Sequence, residues 1–100
     1  MARPDRIYEA LGFVTWRHRD LARKTQPDVY KAAALTRNTY IRLEKGQGPF
    51  TAEQIAAIAT VYGLEDWELL REARDALKRG EVPDPPQRGS AWKKAFGFKP

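Results

Sequence analysis

The chain has no cysteine and only one histidine, His18, among its 100 residues. Without cysteine it can form no disulfide and no thiolate metal site, and a single histidine is too little for a metal centre. No apolar run approaches the roughly 20 residues that a membrane-spanning helix needs. The first ten residues also lack the apolar core of a signal peptide. We therefore expect a cytoplasmic protein that binds no metal, cofactor or membrane.

The side chains that enzymes use for chemistry are scarce as well. There is no cysteine nucleophile, no glycine-rich phosphate-binding loop, and no pair of acid and base residues that the sequence places in one cleft. The composition therefore disfavours an enzyme and favours a binding protein.

Positive charge is present, and it is concentrated in one segment. Residues 15–46 carry eight Lys or Arg against three Asp or Glu, a net charge of +5. Residues 47–79 have a net charge of −2, and residues 80–100 have a net charge of +2. Such a concentration suits a surface that faces phosphates, although a solvated helix face often carries similar charge.

Apolar spacing and helix-end signals predict five helices and an all-α fold. The predicted helices cover about 5–24, 25–34, 36–46, 51–63 and 66–79. The fifth is expected to bury one apolar face, made of Leu69, Leu70, Ala73, Ala76 and Leu77. Thr25 and Thr36 are the expected N-caps of the second and third helices, and a capping box from Thr51 to Gln54 opens the fourth. No segment alternates between apolar and polar residues as a strand does.

The composition changes after Gly80. Residues 81–100 contain four of the seven prolines, so we expect an extended or flexible tail after a helical domain at 1–80. The tail also carries a group of aromatic and cationic side chains, Trp92, Lys93, Lys94, Phe96 and Phe98. Such residues can bind a protein partner, lie along nucleic acid, or fold back onto an apolar surface of the helical domain.

The segment from Thr25 to Gly46 reads as two short helices joined by a tight turn, with polar residues on the outer face of the second. Among them, Arg37 and Arg42 can donate two hydrogen bonds to guanine, and Asn38 can pair with adenine. Ile41 on the same face could meet a thymine methyl group. The alternative is that both arginines only neutralise phosphates.

Several motifs resemble one known family. They are Leu11-Gly12, Arg19, Thr25-Gln26, LTRNTYIRLEKG at 35–46 and YGLEDWELL at 62–70. From Leu11 to Leu70 the chain resembles the lambda-repressor-like (Cro and XRE) helix-turn-helix DNA-binding domains. The resemblance implies a five-helix domain that binds double-stranded DNA, with its helix-turn-helix at 25–46.

The resemblance also implies a role for individual residues. Base-facing positions are Arg37, Asn38 and Arg42, and Ile41 lies beside them. Phosphate-facing positions are Gln26, Thr36, Thr39, Lys45 and Gln47. A structural ion pair between Arg19 and Glu44 is expected to tie the first helix to the end of the third.

The chain departs from the family pattern at a few positions. Tyr30 replaces a small residue, and Ala34 replaces a glycine at the turn, which implies modest strain if the backbone there is left-handed. The first helix has apolar residues where the family is often polar, Phe13, Val14 and Trp16. Either this helix is rotated, or the tail aromatics or a second subunit cover its outer face.

These observations predict a sequence-specific transcriptional regulator. The simplest form is a repressor that binds a short palindromic operator as a homodimer through the helix at 36–45. The alternative is an antitoxin-type or other protein-binding module of the same fold, in which the tail binds a protein partner.

Overall fold

The computed structural model describes residues 6–83, which form five α-helices and, within that range, no strand. The helices are α1 (Ile7–Leu21), α2 (Gln26–Ala32), α3 (Arg37–Glu44), α4 (Ala52–Val61) and α5 (Asp66–Lys78). All five predicted helices and the all-α class are confirmed, and α1 is a few residues shorter at each end than predicted. None of the helices in this part of the chain is both long and apolar enough to cross a bilayer.

The predicted N-caps are confirmed by their hydrogen bonds. The backbone N–H of Asp28 donates to Thr25 Oγ1 at 3.2 Å, and the N–H of Thr25 donates to Asp28 Oδ2 at 2.9 Å. The same reciprocal pair joins Thr51 and Gln54 at 3.1 and 2.9 Å. These bonds use backbone N–H groups that a helix N-terminus would otherwise leave unpaired.

All five helices end in the same way, with a left-handed residue after the last turn. Those residues are Arg23, Ala34, Gly46, Gly63 and Gly80, with φ between 55° and 77°. After α2, for example, the N–H of Leu35 donates to the carbonyl of Tyr30 at 2.8 Å, closing the turn. Three of the five residues are glycine, as the sequence predicts. Ala34 is left-handed despite its Cβ, which confirms the strain expected at that position.

The core lies where α1 meets α5 and α3, with α4 closing it against α5 and α2. Phe13 and Val14 are buried in it, and Trp16 packs partly buried against it. The apolar face of α1 is thus covered by α5 from the same chain. His18 also lies at the contact between α1 and α5, because its Nε2 lies 2.7 Å from Glu72 Oε1. Its ring stacks on that of Tyr62.

Gly12 lets α1 approach the end of α3 unusually closely. A Cβ at this position would lie 2.6 Å from the carbonyl oxygen of Leu43 and 2.7 Å from that of Glu44. Both are backbone atoms that cannot move aside easily. The glycine that weakens the middle of α1 is therefore required by packing.

The chain stays packed for three residues beyond Gly80. Arg17 Nη1 donates to Glu81 Oε1 at 2.9 Å, the side chain of Val82 is only 6% exposed, and Arg6 Nη2 donates to the carbonyl of Pro83. Glu81–Pro83, which the sequence assigns to the tail, thus lie along α1. Val82 belongs to the same buried cluster as Phe13 and Val14.

Candidate nucleic-acid interface

The helix-turn-helix consists of α2, a four-residue turn from Ala33 to Thr36, and α3. Val29 and Tyr40 are fully buried between the helices and the core. The ring of Tyr30 packs beside that of Tyr40, with 6.2 Å between centroids and 46° between planes. The bulky residue that replaces the small one of the family thus fills space between α2 and α3.

The first turn of α3 presents its polar side chains to solvent. Arg37 and Asn38 are exposed, and neither side chain forms a hydrogen bond within the described part of the chain. Thr36 caps this turn by accepting a bond from the N–H of Thr39 at 3.2 Å, and its hydroxyl donates to Thr39 Oγ1 at 2.9 Å. Capping by Thr36 therefore fixes the backbone that carries Arg37 and Asn38.

Arg42 differs from Arg37 in being held by the protein. Its Nη1 donates to the carbonyl oxygen of Gln47 at 2.7 Å, and the residue is half-buried together with Ile41. A guanidinium has five N–H donors, so this bond leaves others to point outward. The bond also fixes the loop after α3, where Lys45 and Gln47 are exposed.

A buried carboxylate anchors the other side of α3. Glu44 is 1% exposed and accepts two bonds of 2.9 Å from Arg19 and one of 2.5 Å from the hydroxyl of Tyr40. The amide of Gln26 donates to the same carboxylate at 3.1 Å. Three helices are thereby joined at one side chain: α1 through Arg19, α2 through Gln26, and α3 itself.

The protonation states at this junction follow from burial and from the charge of Glu44. Burial raises the pKa of the Tyr40 hydroxyl far above its usual range, and the nearby carboxylate raises it further, so the phenol stays a donor. For Arg19, burial lowers the pKa, but the hydrogen bond and charge of Glu44 outweigh it and raise the pKa overall. Arg19 and Tyr40 therefore both stay hydrogen-bond donors to Glu44 at neutral pH.

Sequence reasoning missed a cationic groove at the end of α1. It is about 460 Å³ in volume and is lined by Arg19, Asp20, Leu21, Arg23 and Lys24. It directly precedes the Thr25–Gln26 start of α2, whose Gln26 is a predicted phosphate contact. The concentration of positive charge in residues 15–46 was a signal for it, but charge alone did not indicate which residues lie together.

The remaining predicted site residues fall elsewhere. Trp92, Lys93, Lys94, Phe96 and Phe98 lie outside the described residues. Within 6–83, no group of three or more His, Cys, Asp or Glu side chains is arranged to hold a metal ion.

In a comparison with protein families, the model of a helix-turn-helix domain matches residues 16–77. Comparisons with curated proteins and with solved structures found no match. The matched segment runs from the second half of α1 to the end of α5, and so includes both helices of the motif and the junction at Glu44. The match covers more than half of the chain, and the protein belongs to the helix-turn-helix domain family, in agreement with the Cro and XRE type of DNA-binding domain that its motifs resemble.

Proposed function

We propose that the protein is a sequence-specific transcriptional regulator that reads DNA through the first turn of α3. The single observation that carries the proposal is that Arg37 and Asn38 are exposed next to each other on α3, while the opposite face of this helix is buried against the rest of the domain. Arginine and asparagine are the side chains that recognise guanine and adenine with two hydrogen bonds each in the major groove. A rigid backbone is what lets such bonds discriminate between bases.

The surrounding residues fit the phosphate contacts that position a recognition helix. Gln26 uses its amide to hold Glu44, and the same NH₂ group has a second hydrogen to donate. Lys45 and Gln47 directly follow α3, and the groove with Arg23 and Lys24 directly precedes α2. Positive groups therefore flank the helix-turn-helix at both of its ends in the sequence.

The simplest regulator of this kind is a dimeric repressor. A homodimer would place two α3 helices in successive major grooves, about 34 Å apart, so that its operator would be palindromic. Occupying such a site next to a promoter would block transcription without any sensor domain.

The first test is selection of bound fragments from a random duplex pool at near-physiological salt. We expect a motif with two inverted half-sites about one helical turn apart. Enrichment of a single unpaired half-site would contradict the dimer but would still support recognition of bases by α3. No enrichment, with only weak binding that salt abolishes, would reject a sequence-specific regulator.

Variants of α3 then test which residues read bases. Arg37→Ala and Asn38→Ala should each weaken binding to the selected site by about 5- to 150-fold, or about 1–3 kcal/mol, and weaken binding to random DNA much less. Arg79→Ala is a matched control, because Arg79 is an exposed arginine at the end of α5 and its loss removes the same charge. Equal losses on both DNAs for Arg37→Ala and Asn38→Ala would assign these residues to the phosphates instead.

A further inference from the structure

An apolar groove lies between the first turns of α4 and α5, and no residue of α3 lines it. Its volume is about 260 Å³, and it is lined by Ala52, Ile55, Asp66, Trp67 and Leu70. Trp67 is 56% exposed and Leu70 is 38% exposed, although the sequence predicts that Leu70 is buried. A half-exposed tryptophan beside an exposed leucine, both lining a groove, indicates a surface that binds something apolar.

Acidic residues lie at the start of α5, beside this groove. Asp66 lines the groove, and Glu65 and Glu68 are close to it in the sequence. Within the described residues, none of these three carboxylates forms an ion pair, although Glu68 Oε1 accepts the Glu65 N–H at 2.9 Å and Asp66 Oδ1 accepts the Trp67 N–H at 2.7 Å. One cation, Arg71, also lies here, with its guanidinium 5.2 Å from the centre of the Trp67 ring. An occupant that is both aromatic and positively charged would complement this groove.

The end of the same chain is both aromatic and positively charged. Residues 88–100 contain Trp92, Phe96 and Phe98 together with four basic side chains, and no acidic one. The four basic residues are Arg88, Lys93, Lys94 and Lys99. The segment therefore matches the groove in apolar content and is opposite in charge to the acidic residues beside it.

A series of contacts leads from the end of the described chain toward the groove. The carbonyl of Pro83 accepts a bond from Arg6, and two residues later the ring of Tyr8 stacks on Phe50 with 6.4 Å between centroids. Phe50 is two residues before Ala52, the first residue of the groove. Eight residues lie between Pro83 and Trp92, and the nine Cα–Cα steps span about 30 Å when extended, so the tail can follow this path.

We propose that Trp92 and the two phenylalanines of the tail dock in the groove of the same chain, with Lys93 and Lys94 facing its carboxylates. A short tether gives the tail an effective concentration of about 1 mM, so even a weak site is occupied to a large extent. The docked tail would cover Trp67 and Leu70 and keep its lysines away from DNA. This interaction is independent of DNA binding and is tested in its absence.

The absence of cysteine makes a direct test possible. Ala95→Cys in the full chain provides one attachment point for a nitroxide spin label, between Trp92 and Phe96. We expect the label to broaden the amide signals of Ala52–Ile55 and Asp66–Leu70 in NMR spectra, and to leave Arg37–Glu44 sharp. Broadening of the α3 signals, or of none, would overturn the proposal.

Two controls separate docking in the groove from other contacts. Trp67→Ala combined with Leu70→Glu should remove most of the broadening, whereas Leu21→Glu, at a 74% exposed leucine outside the groove, should leave it unchanged. Mixing an isotope-labelled chain without the cysteine with an unlabelled spin-labelled chain detects contacts between copies. Broadening in that mixture as strong as in the single chain would show that the occupant is the tail of a second copy, and would contradict docking within one chain.

Discussion

Ala34 shows how a single residue can bear strain at the centre of a binding motif. Its φ of 58° places it in the left-handed region, in the turn that sets the angle between α2 and α3. An alanine in that region costs about 1–2 kcal/mol because its Cβ crowds the following carbonyl. The turn forms nevertheless, because Leu35 and Thr36 on one side and Ala33 on the other are fixed by packing and capping.

We therefore predict that Ala34→Gly stabilises the protein by about 0.5–1 kcal/mol. Glycine removes the strain, and part of the gain is lost to the greater freedom of glycine in the unfolded chain. Ala32→Gly is the matched control, since Ala32 is exposed in the last turn of α2 and should lose about 0.5–1 kcal/mol. Thermal unfolding measures both, and a lower melting temperature for Ala34→Gly would show that Ala34 is not strained.

Some contacts of single residues could be predicted and others could not. The Arg19–Glu44 pair follows from the resemblance, because a motif keeps its partners at fixed positions. The bond from Arg42 to the carbonyl of Gln47 could not be predicted, since it depends on the loop path after Gly46. The exposure of Leu70 was also wrongly predicted as burial, because the apolar stripe of α5 is wider than the surface that α4 and α1 cover.

At the scale of elements, α2, α4 and α5 begin with capping boxes that differ in chemistry. The box of α2 uses Asp28, whose pKa is lowered by the hydrogen bonds that its carboxylate accepts from Thr25. The box of α4 uses Gln54, which has no charge to titrate. The two helices are therefore a matched pair for testing how capping depends on pH.

We predict that the stability lost in Asp28→Ala is largest near pH 7 and becomes smaller in acid. Because the folded pKa of Asp28 lies below its unfolded value of 3.8, its contribution is complete above that value and is lost as the pH falls through the folded pKa. Gln54→Ala should instead lose about 1 kcal/mol at every pH. Urea unfolding of both variants and the parent at pH 7 and pH 2.5 gives the comparison. A loss in Asp28→Ala that stays constant with pH would contradict the role of its charge.

The helices themselves were the most predictable feature of this chain. Thr25, Thr36 and Thr51 cap through bonds to residues three positions on, so the signal is local and the sequence contains it. The glycine stops at Gly46, Gly63 and Gly80 are equally local. The end of α1 was predicted too late, because the left-handed residue there is Arg23, a residue type that gives no such signal.

For the whole molecule, the contacts of residues 81–83 show that the packed part of the chain extends beyond Gly80. The turn at Gly80 ends α5, but Val82 reaches back into the core and Glu81 pairs with Arg17. Helix-end signals could not reveal this, because contacts between α1 and residues more than 60 positions away depend on the path of the chain. For the same reason, local signals could not show that α5 covers the apolar face of α1.

We predict that a chain ending at Pro83 keeps the stability of the full chain to within about 1 kcal/mol, whereas one ending at Gly80 loses about 1.5–3 kcal/mol. The difference is the burial of the Val82 side chain. Denaturant midpoints of the two truncated proteins measure it, and Val82→Ser in the full chain should reproduce the loss. Equal midpoints for both truncations would place the end of the fold at Gly80.

The two faces of α3 have a consequence for how the protein can change. Tyr40, Leu43 and Glu44 hold the helix to the rest of the molecule, while the side chains of Arg37 and Asn38 are exposed and form no hydrogen bond within the described residues. The outer positions can therefore be rewritten without loss of the scaffold, and the inner ones cannot. The same fold could in this way present many different surfaces on α3. A designer who seeks a new binding specificity would vary the exposed positions of α3 and keep Glu44 unchanged.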